Sequence, residues 1–263
     1  MQLWNGERQF MNKCIVFCNQ KGGVGKSTTA NAVGAGLFYK GNKILYIDMD
    51  PQGNLTYSLG QNDKRGLILQ LLEGKIEPKD VIIKTSQGDL IPSSLALSGI
   101  DSILTQTGRE YRLKESIDPI KKNYDFIIID TPPALGTLTI NSLTAGDCVI
   151  IPSQADIYSL QGIGQLAQTI RTVKKYCNKD LYIQGIVITR YNLRTVITKD
   201  ITKLIEDTAK QLNTKVYNIK IRECVAIKEA QADQKDIFEY SKNSNASADY
   251  GELVNEILLD LKI

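Results

Sequence analysis

The chain has 263 residues, 42% of them hydrophobic and 23% charged, as befits a folded protein with a full core. Its 32 Lys and Arg against 29 Asp and Glu leave a net charge of +3, which excludes a bulk polycation or an acidic tail but allows a local basic patch. Histidine is absent, which excludes Ser-His-Asp and Cys-His catalysis, His-ligated zinc or haem, and a histidine pH switch.

Residues 1–12 carry no apolar signal core and are read as an extension outside the fold, leaving 13–263 as one domain. No apolar run approaches the roughly 18–20 residues that span a bilayer. The five cysteines, Cys14, Cys18, Cys148, Cys177 and Cys224, are odd in number and form no CxxC pair. A disulfide framework and a zinc cluster are therefore not expected, and a reducing cytosol is. Cys14 and Cys18 share strand parity and are expected as inert thiols on one face of a buried strand.

The first predicted strand, 14–18, runs into a glycine-rich turn and a helix over 26–40. A second strand, 44–47, ends in Asp48, Met49 and Asp50. The stretch 55–88 carries turn residues and few other signals. Strands follow at 89–91, 126–129, 148–151 and 183–188. Helices are predicted at 97–117, 137–145, 159–176, 196–212 and 247–261. Most strands are continuously apolar, as in strands buried on both faces. The alternation with helices predicts an α/β fold: a doubly wound, mostly parallel sheet covered on both faces.

After the first strand come Lys21, Gly22, Gly23, Val24, Gly25, Lys26, Ser27 and Thr28. A strand, a glycine-rich turn and a helix N-terminus make an anion cradle, where backbone N–H groups converge on phosphate oxygens. Lys26 is placed to reach the β- and γ-phosphates and Ser27 to ligate Mg²⁺. The first glycine of the ordinary G-x-x-x-x-G-K-[ST] pattern is replaced by Gln20, and a second lysine, Lys21, stands next to it. Two other strands end in acids, Asp48 with Asp50 and Asp130. Ligands of parallel sheets bind beyond the carboxyl ends of the strands, so these acids are expected beside the phosphate loop. There they can hold Mg²⁺ or orient an attacking water.

The run from Lys21 to Thr28 resembles the deviant Walker A family of ATPases, marked by K-G-G-x-G-K-[ST], whose members include ParA/Soj, MinD and the nitrogenase iron protein. The resemblance implies ATP and Mg²⁺ as cofactors and an ATP-dependent sandwich dimer in which Lys21 reaches the partner's phosphates. It implies catalytic roles for Lys21, Lys26 and Asp50, with Asp50 orienting water and Ser27, Asp48 and Asp130 supporting the metal. Residues 48–54, 130–141, 151–154 and 159–162, with Arg194, Thr195, Glu229 and Ala230, resemble the ParA/Soj branch over nearly the whole chain. A member of that branch without a helix-turn-helix extension is expected. The family's Ile-Pro pair near adenine reads Ile221-Arg222 here, and both are carried as nucleotide-binding candidates.

Residues 190–235 hold ten basic and six acidic side chains, a local excess larger than that of the whole chain. Lys199, Lys203 and Lys210 fall close to one helical stripe, and Arg194 precedes it. Such a patch can neutralise DNA phosphates without reading bases. By resemblance Arg194 contacts DNA, while a second family arginine is replaced by Ala226; Lys199, Lys203, Arg222 and Lys228 are the other candidates. The reading that follows is a cytoplasmic, nucleoid-associated partitioning ATPase. Its partners are a second copy of itself, non-specific DNA and a ParB-like centromere-binding protein that stimulates hydrolysis. A MinD-like membrane ATPase is the alternative, but residues 249–263 carry four acids and one lysine, which anionic lipid would repel. An iron–sulfur reductase needs cluster cysteines, and none closely follows Asp130.

Overall fold

The computed structural model describes residues 12–62, 66–192 and 196–262. In chain order the first elements are β1 (Lys13–Phe17), α1 (Lys26–Tyr39), β2 (Ile44–Asp48), α2 (Asn54–Ser58), α3 (Leu67–Leu72) and α4 (Pro78–Val81). The hairpin β3 (Ile83–Thr85) and β4 (Gly88–Ile91) leads to α5 (Ile100–Ile103), α6 (Arg112–Ile117), β5 (Phe126–Asp130), α7 (Thr137–Ala145) and β6 (Cys148–Ser153). The remainder is α8 (Ile157–Tyr176), β7 (Tyr182–Ile188), α9 (Val196–Gln211), α10 (Val225–Ala232), α11 (Ile237–Tyr240) and α12 (Asn245–Asp260).

The strands form one seven-stranded sheet in the order β3-β4-β2-β5-β1-β6-β7. All neighbours are parallel except β3 and β4, an antiparallel pair at the edge. Alternation along β1 divides the interior: Cys14, Val16 and Cys18 face one core, Ile15 and Phe17 the other. The expected shared face of Cys14 and Cys18 is thus observed. Burial pushes both thiols up, Cys18 to about 11, so neither supplies a thiolate at neutral pH.

Helix α1 lies directly on the sheet. A Cβ at Gly34 would come within 2.3 Å of the Tyr46 ring on β2, so a glycine is required for that approach. The opposite side of α1 packs on α12 through Gly36, where a Cβ would meet Val254 at 2.7 Å. This packing anchors the helix whose N-terminus ends the phosphate loop.

Several elements differ from the sequence expectation. The single helix predicted over 97–117 is instead two short α-helices separated by turns, with Gly108 in the left-handed region at φ 85°. The apolar period there comes from separate turns packing on one core. Strand β3 is a three-residue, partly exposed edge with no apolar run to announce it. Helices α10 and α11, of eight and four residues, are too short to show a helical period.

Candidate active site

The register of the sheet creates the site. Phe17 pairs with Asp130, and Asp130 pairs with Asp48, so the ends of β1, β5 and β2 stand level. Neighbouring strands lie about 4.8 Å apart, which brings the two aspartates side by side without any loop contribution. The turn after β1 passes over them into α1. Gly23 and Gly25 hold positive φ of 74° and 84°, conformations open to glycine and strained for other residues. Gly25 is the N-cap of α1 and offers no side-chain cap, which leaves the first-turn N–H groups for an external anion.

The turn is fastened from outside. Asn19 donates from its amide to the Pro152 carbonyl at 2.7 Å and accepts from the Lys21 N–H at 3.0 Å. Thr189 donates its hydroxyl to the Val24 carbonyl at 2.7 Å, and the Gln154 amide donates to the Gly23 carbonyl at 3.1 Å. Lys26 is buried, with Nζ 3.4 Å from the Lys21 carbonyl. Lys21 turns away from the cradle: its Nζ donates to Asp156 at 2.5 Å and to Gln154 at 3.3 Å.

The three aspartates play different parts. Asp48 is fully buried and its oxygens are engaged: Oδ1 accepts from the Asp50 N–H at 3.1 Å, and Oδ2 from the Thr56 N–H and hydroxyl at 2.8 and 2.7 Å. Burial pushes its carboxyl up to about 6, against the pull of those donors. Asp50 accepts the Gln52 N–H on one oxygen at 3.0 Å and lines the cavity. Asp130 is fully buried, and neither of its oxygens has a hydrogen-bond partner among the described residues. Burial and the neighbouring Asp48 push its carboxyl well up, while the Ser27 hydroxyl and Lys26 oppose the shift.

Above these groups lies a cavity of about 440 Å³, walled by Gly22, Gly23, Gly25, Lys26, Ser27 and Thr28 on one side and by Asp50, Gln52 and Asn54 on the other. A second cavity of about 170 Å³ adjoins it past Gly25 and Thr28 and is lined by Ile221, Arg222, Ile227 and Tyr250. Together they make an elongated slot, anion-binding at one end and partly apolar at the other. Cation chemistry fits the first end: an orphaned buried carboxylate at Asp130 beside the Ser27 hydroxyl needs a counter-charge. Among the described residues no cluster of three or more Asp, Glu or Cys is arranged to enclose a metal unaided, so a metal here would take ligands from phosphate and water.

Residues 12–183 match the AAA domain family. The chain is 41% identical to the sporulation initiation inhibitor protein Soj of Bacillus subtilis over 94% of this chain and 98% of that protein. The chain belongs to the ParA/Soj family of P-loop ATPases. It is 36% identical to the chromosome partitioning protein ParA of Caulobacter vibrioides, over 94% of both chains. Among solved structures it resembles cobyrinic acid a,c-diamide synthase of Mycobacterium smegmatis with bound ATP analogue and magnesium. That match has a TM-score of 0.82 at 32% identity and covers 95% of this chain and 96% of the other.

Set in that family, the basic candidates divide. Arg194 lies outside the described residues. Lys199 and Lys203 are exposed on α9, and Lys228 is exposed on α10; none has an ion pair among the described residues. Arg222 corrects the expectation of a free charge. Its Nε and Nη2 both contact the Asp249 carboxylate, at 2.9 and 2.5 Å, and Asp249 is buried. The pair is locally neutral, and Arg222 also lines the second cavity. Lys210 is paired with Asp207 and Lys215 with Asp260, which thins the patch further.

Asn19, Gln154, Asp156, Thr189 and Gln231 also build the site, and sequence reasoning gave none of them a role. Asp156 had a legible signal, since Asp-x-x-Ser opens α8: its carboxylate accepts the Ser159 N–H at 2.9 Å. The others act across loops far apart in the chain and leave no local pattern.

Proposed function

We propose that this chain is a DNA-partitioning ATPase that binds Mg·ATP in the elongated slot, dimerises on it and then holds DNA without reading its sequence. One observation carries the reading. An unpartnered buried Asp130 carboxylate sits at the foot of a glycine cradle beside Lys26 and Ser27. Lys26 supplies positive charge to the phosphates, and the Gly23 and Gly25 turns expose backbone N–H groups to them. Ser27 would ligate Mg²⁺, and Asp130 would hold it through water, with Asp48 bracing the loop that carries Asp50. When bound, Mg²⁺ supplies charge neutralisation at the phosphates. Asp50, on the cavity wall, orients the attacking water in a chain with no histidine to do so.

Lys21 completes the site of a second copy, because in its own chain it faces away from the cradle. Dimerisation joins two modest basic faces, each built on Lys199, Lys203 and Lys228 with Arg194. A ParB-like centromere-binding partner then stimulates hydrolysis and releases the DNA. The test is co-sedimentation of the protein with two unrelated duplexes under ATP, ADP and no nucleotide. Retention on both duplexes with ATP alone is expected. Equal retention in all three conditions, or retention on vesicles instead of DNA, overturns the reading.

A further inference from the structure

We propose that Gln231 is the ribose contact of the nucleotide site, accepting a hydrogen bond from a ribose hydroxyl while it orients Thr28 toward the phosphates. The proposal rests on the reading that the slot takes ATP. The two cavities share four residues, Gly23, Gly25, Thr28 and Gln231. A nucleotide with its phosphates on the cradle and its base against Ile221 and Ile227 must place its sugar at that junction. Glycines bring no side chain, so Thr28 and Gln231 are the side chains common to both cavities that can meet it.

Their mutual geometry assigns the roles. Gln231 Nε2 donates to Thr28 Oγ1 at 2.8 Å. That bond fills an acceptor site of the hydroxyl and leaves its proton to be donated, which suits a phosphate oxygen. The amide oxygen of Gln231 has no partner among the described residues and is an acceptor, the complement of a ribose hydroxyl. Gln231 lies in the last turn of α10, a helix held at its far end beside the Arg222–Asp249 pair. The side chain therefore reaches the junction from a fixed base. A glutamine amide satisfies donor and acceptor demands at once, which a hydrocarbon or a carboxylate of the same reach does not.

The test is calorimetric titration of wild type, Gln231→Leu and Gln231→Glu with a non-hydrolysable ATP analogue and with its 2′-deoxy and 3′-deoxy forms. A neutral hydrogen bond is worth about threefold to tenfold in affinity. Wild type should lose about that factor on one deoxy form. Gln231→Leu should lose a similar factor on the ribonucleotide and then show no preference between it and that deoxy form. Gln231→Glu, which keeps an acceptor, should bind more weakly overall beside the phosphates yet retain the preference. A uniform loss by Gln231→Leu with the wild-type preference intact marks a merely structural residue and overturns the proposal. So does a wild type indifferent to both deoxy forms. Failure of wild type to bind any nucleotide overturns instead the ATP reading on which the proposal stands.

Discussion

Lys21 and Asp156 are joined within one chain: the ammonium lies 2.5 Å from a carboxylate that simultaneously caps α8. Burial pushes the Asp156 carboxyl up, but Lys21 and the Ser159 N–H and hydroxyl outweigh it and hold it below the ordinary carboxylate range. The lysine proposed to act on a partner's phosphates is therefore engaged at home and must be released before it can cross. Both side chains are about one-third exposed, so the pair is weak, at most about 1 kcal/mol.

That pair sets the first prediction. Asp156→Ser keeps a capping hydroxyl for α8 but is too short to reach Lys21. The variant should dimerise at a lower protein concentration with ATP, by about twofold to fivefold, and hydrolyse faster without a partner. Lys21→Ala should bind ATP normally and fail to dimerise. Light scattering across a concentration series reads both. A normal dimer from Lys21→Ala refutes the crossing.

Lys26 and Asp50 separate binding from chemistry. Lys26→Ala removes the buried ammonium of the cradle and should lower ATP affinity by at least a hundredfold, about 3 kcal/mol, by calorimetry. Asp50→Ala leaves the cradle intact; it should bind ATP within a few-fold of wild type, lose turnover and remain as a DNA-bound dimer. Wild-type turnover in Asp50→Ala removes that residue from the reaction.

The stacked aspartates give a pH signature. Both carboxyls are raised in the fold, Asp48 to about 6 and Asp130 well above its ordinary value. Well below pH 4 both are neutral in folded and unfolded chains alike, and their contribution to stability is complete. As pH rises from about 4 the unfolded chain ionises first, so that contribution is lost progressively until the folded carboxyl ionises as well, near 6 for Asp48. Asp130→Asn removes the orphaned charge. It should raise the Tm of the nucleotide-free protein at pH 8 by a few degrees, on the order of 1–2 kcal/mol, with the gain vanishing near pH 4. It should also blunt stabilisation by Mg²⁺ with ATP. Thermal melts at the two pH values check this, and an unchanged or lower Tm at pH 8 counts against a strained Asp130.

Much of this was legible in the chain because it is local. The run from Lys21 to Thr28 carries its glycines, lysines and hydroxyls within eight consecutive residues, and a continuously apolar strand such as 126–129 reads as buried on both faces. The acids at 48, 50 and 130 needed only the rule that parallel strands present their carboxyl ends together. What stayed hidden is contact between distant loops. Nothing near Arg222 announces Asp249, 27 residues later, as its partner, so its charge read as available. Nothing near Gln231 announces Thr28 across 203 residues. The helix predicted over 97–117 failed for the related reason that separate turns on one core mimic a helical period.

The last prediction follows from how the basic side chains are partnered. DNA affinity carried by phosphate contacts falls with log salt at about −0.9 per phosphate neutralised. Lys199 and Lys203, exposed and without an ion pair among the described residues, should each contribute to that slope. Lys199→Ala with Lys203→Ala should make it shallower by about 2 per chain and weaken unrelated duplexes equally. Arg194→Ala should act in the same direction. Arg222→Ala should not: its charge is paired with Asp249, so the slope should match wild type, while loss of the buried carboxylate's partner should lower the Tm. A salt titration of each variant on two duplexes, with ATP present, reads all of these effects. The assignment fails if Arg222→Ala flattens the slope as much as the α9 lysines do, or if one duplex is preferred by more than about tenfold, roughly 1.4 kcal/mol.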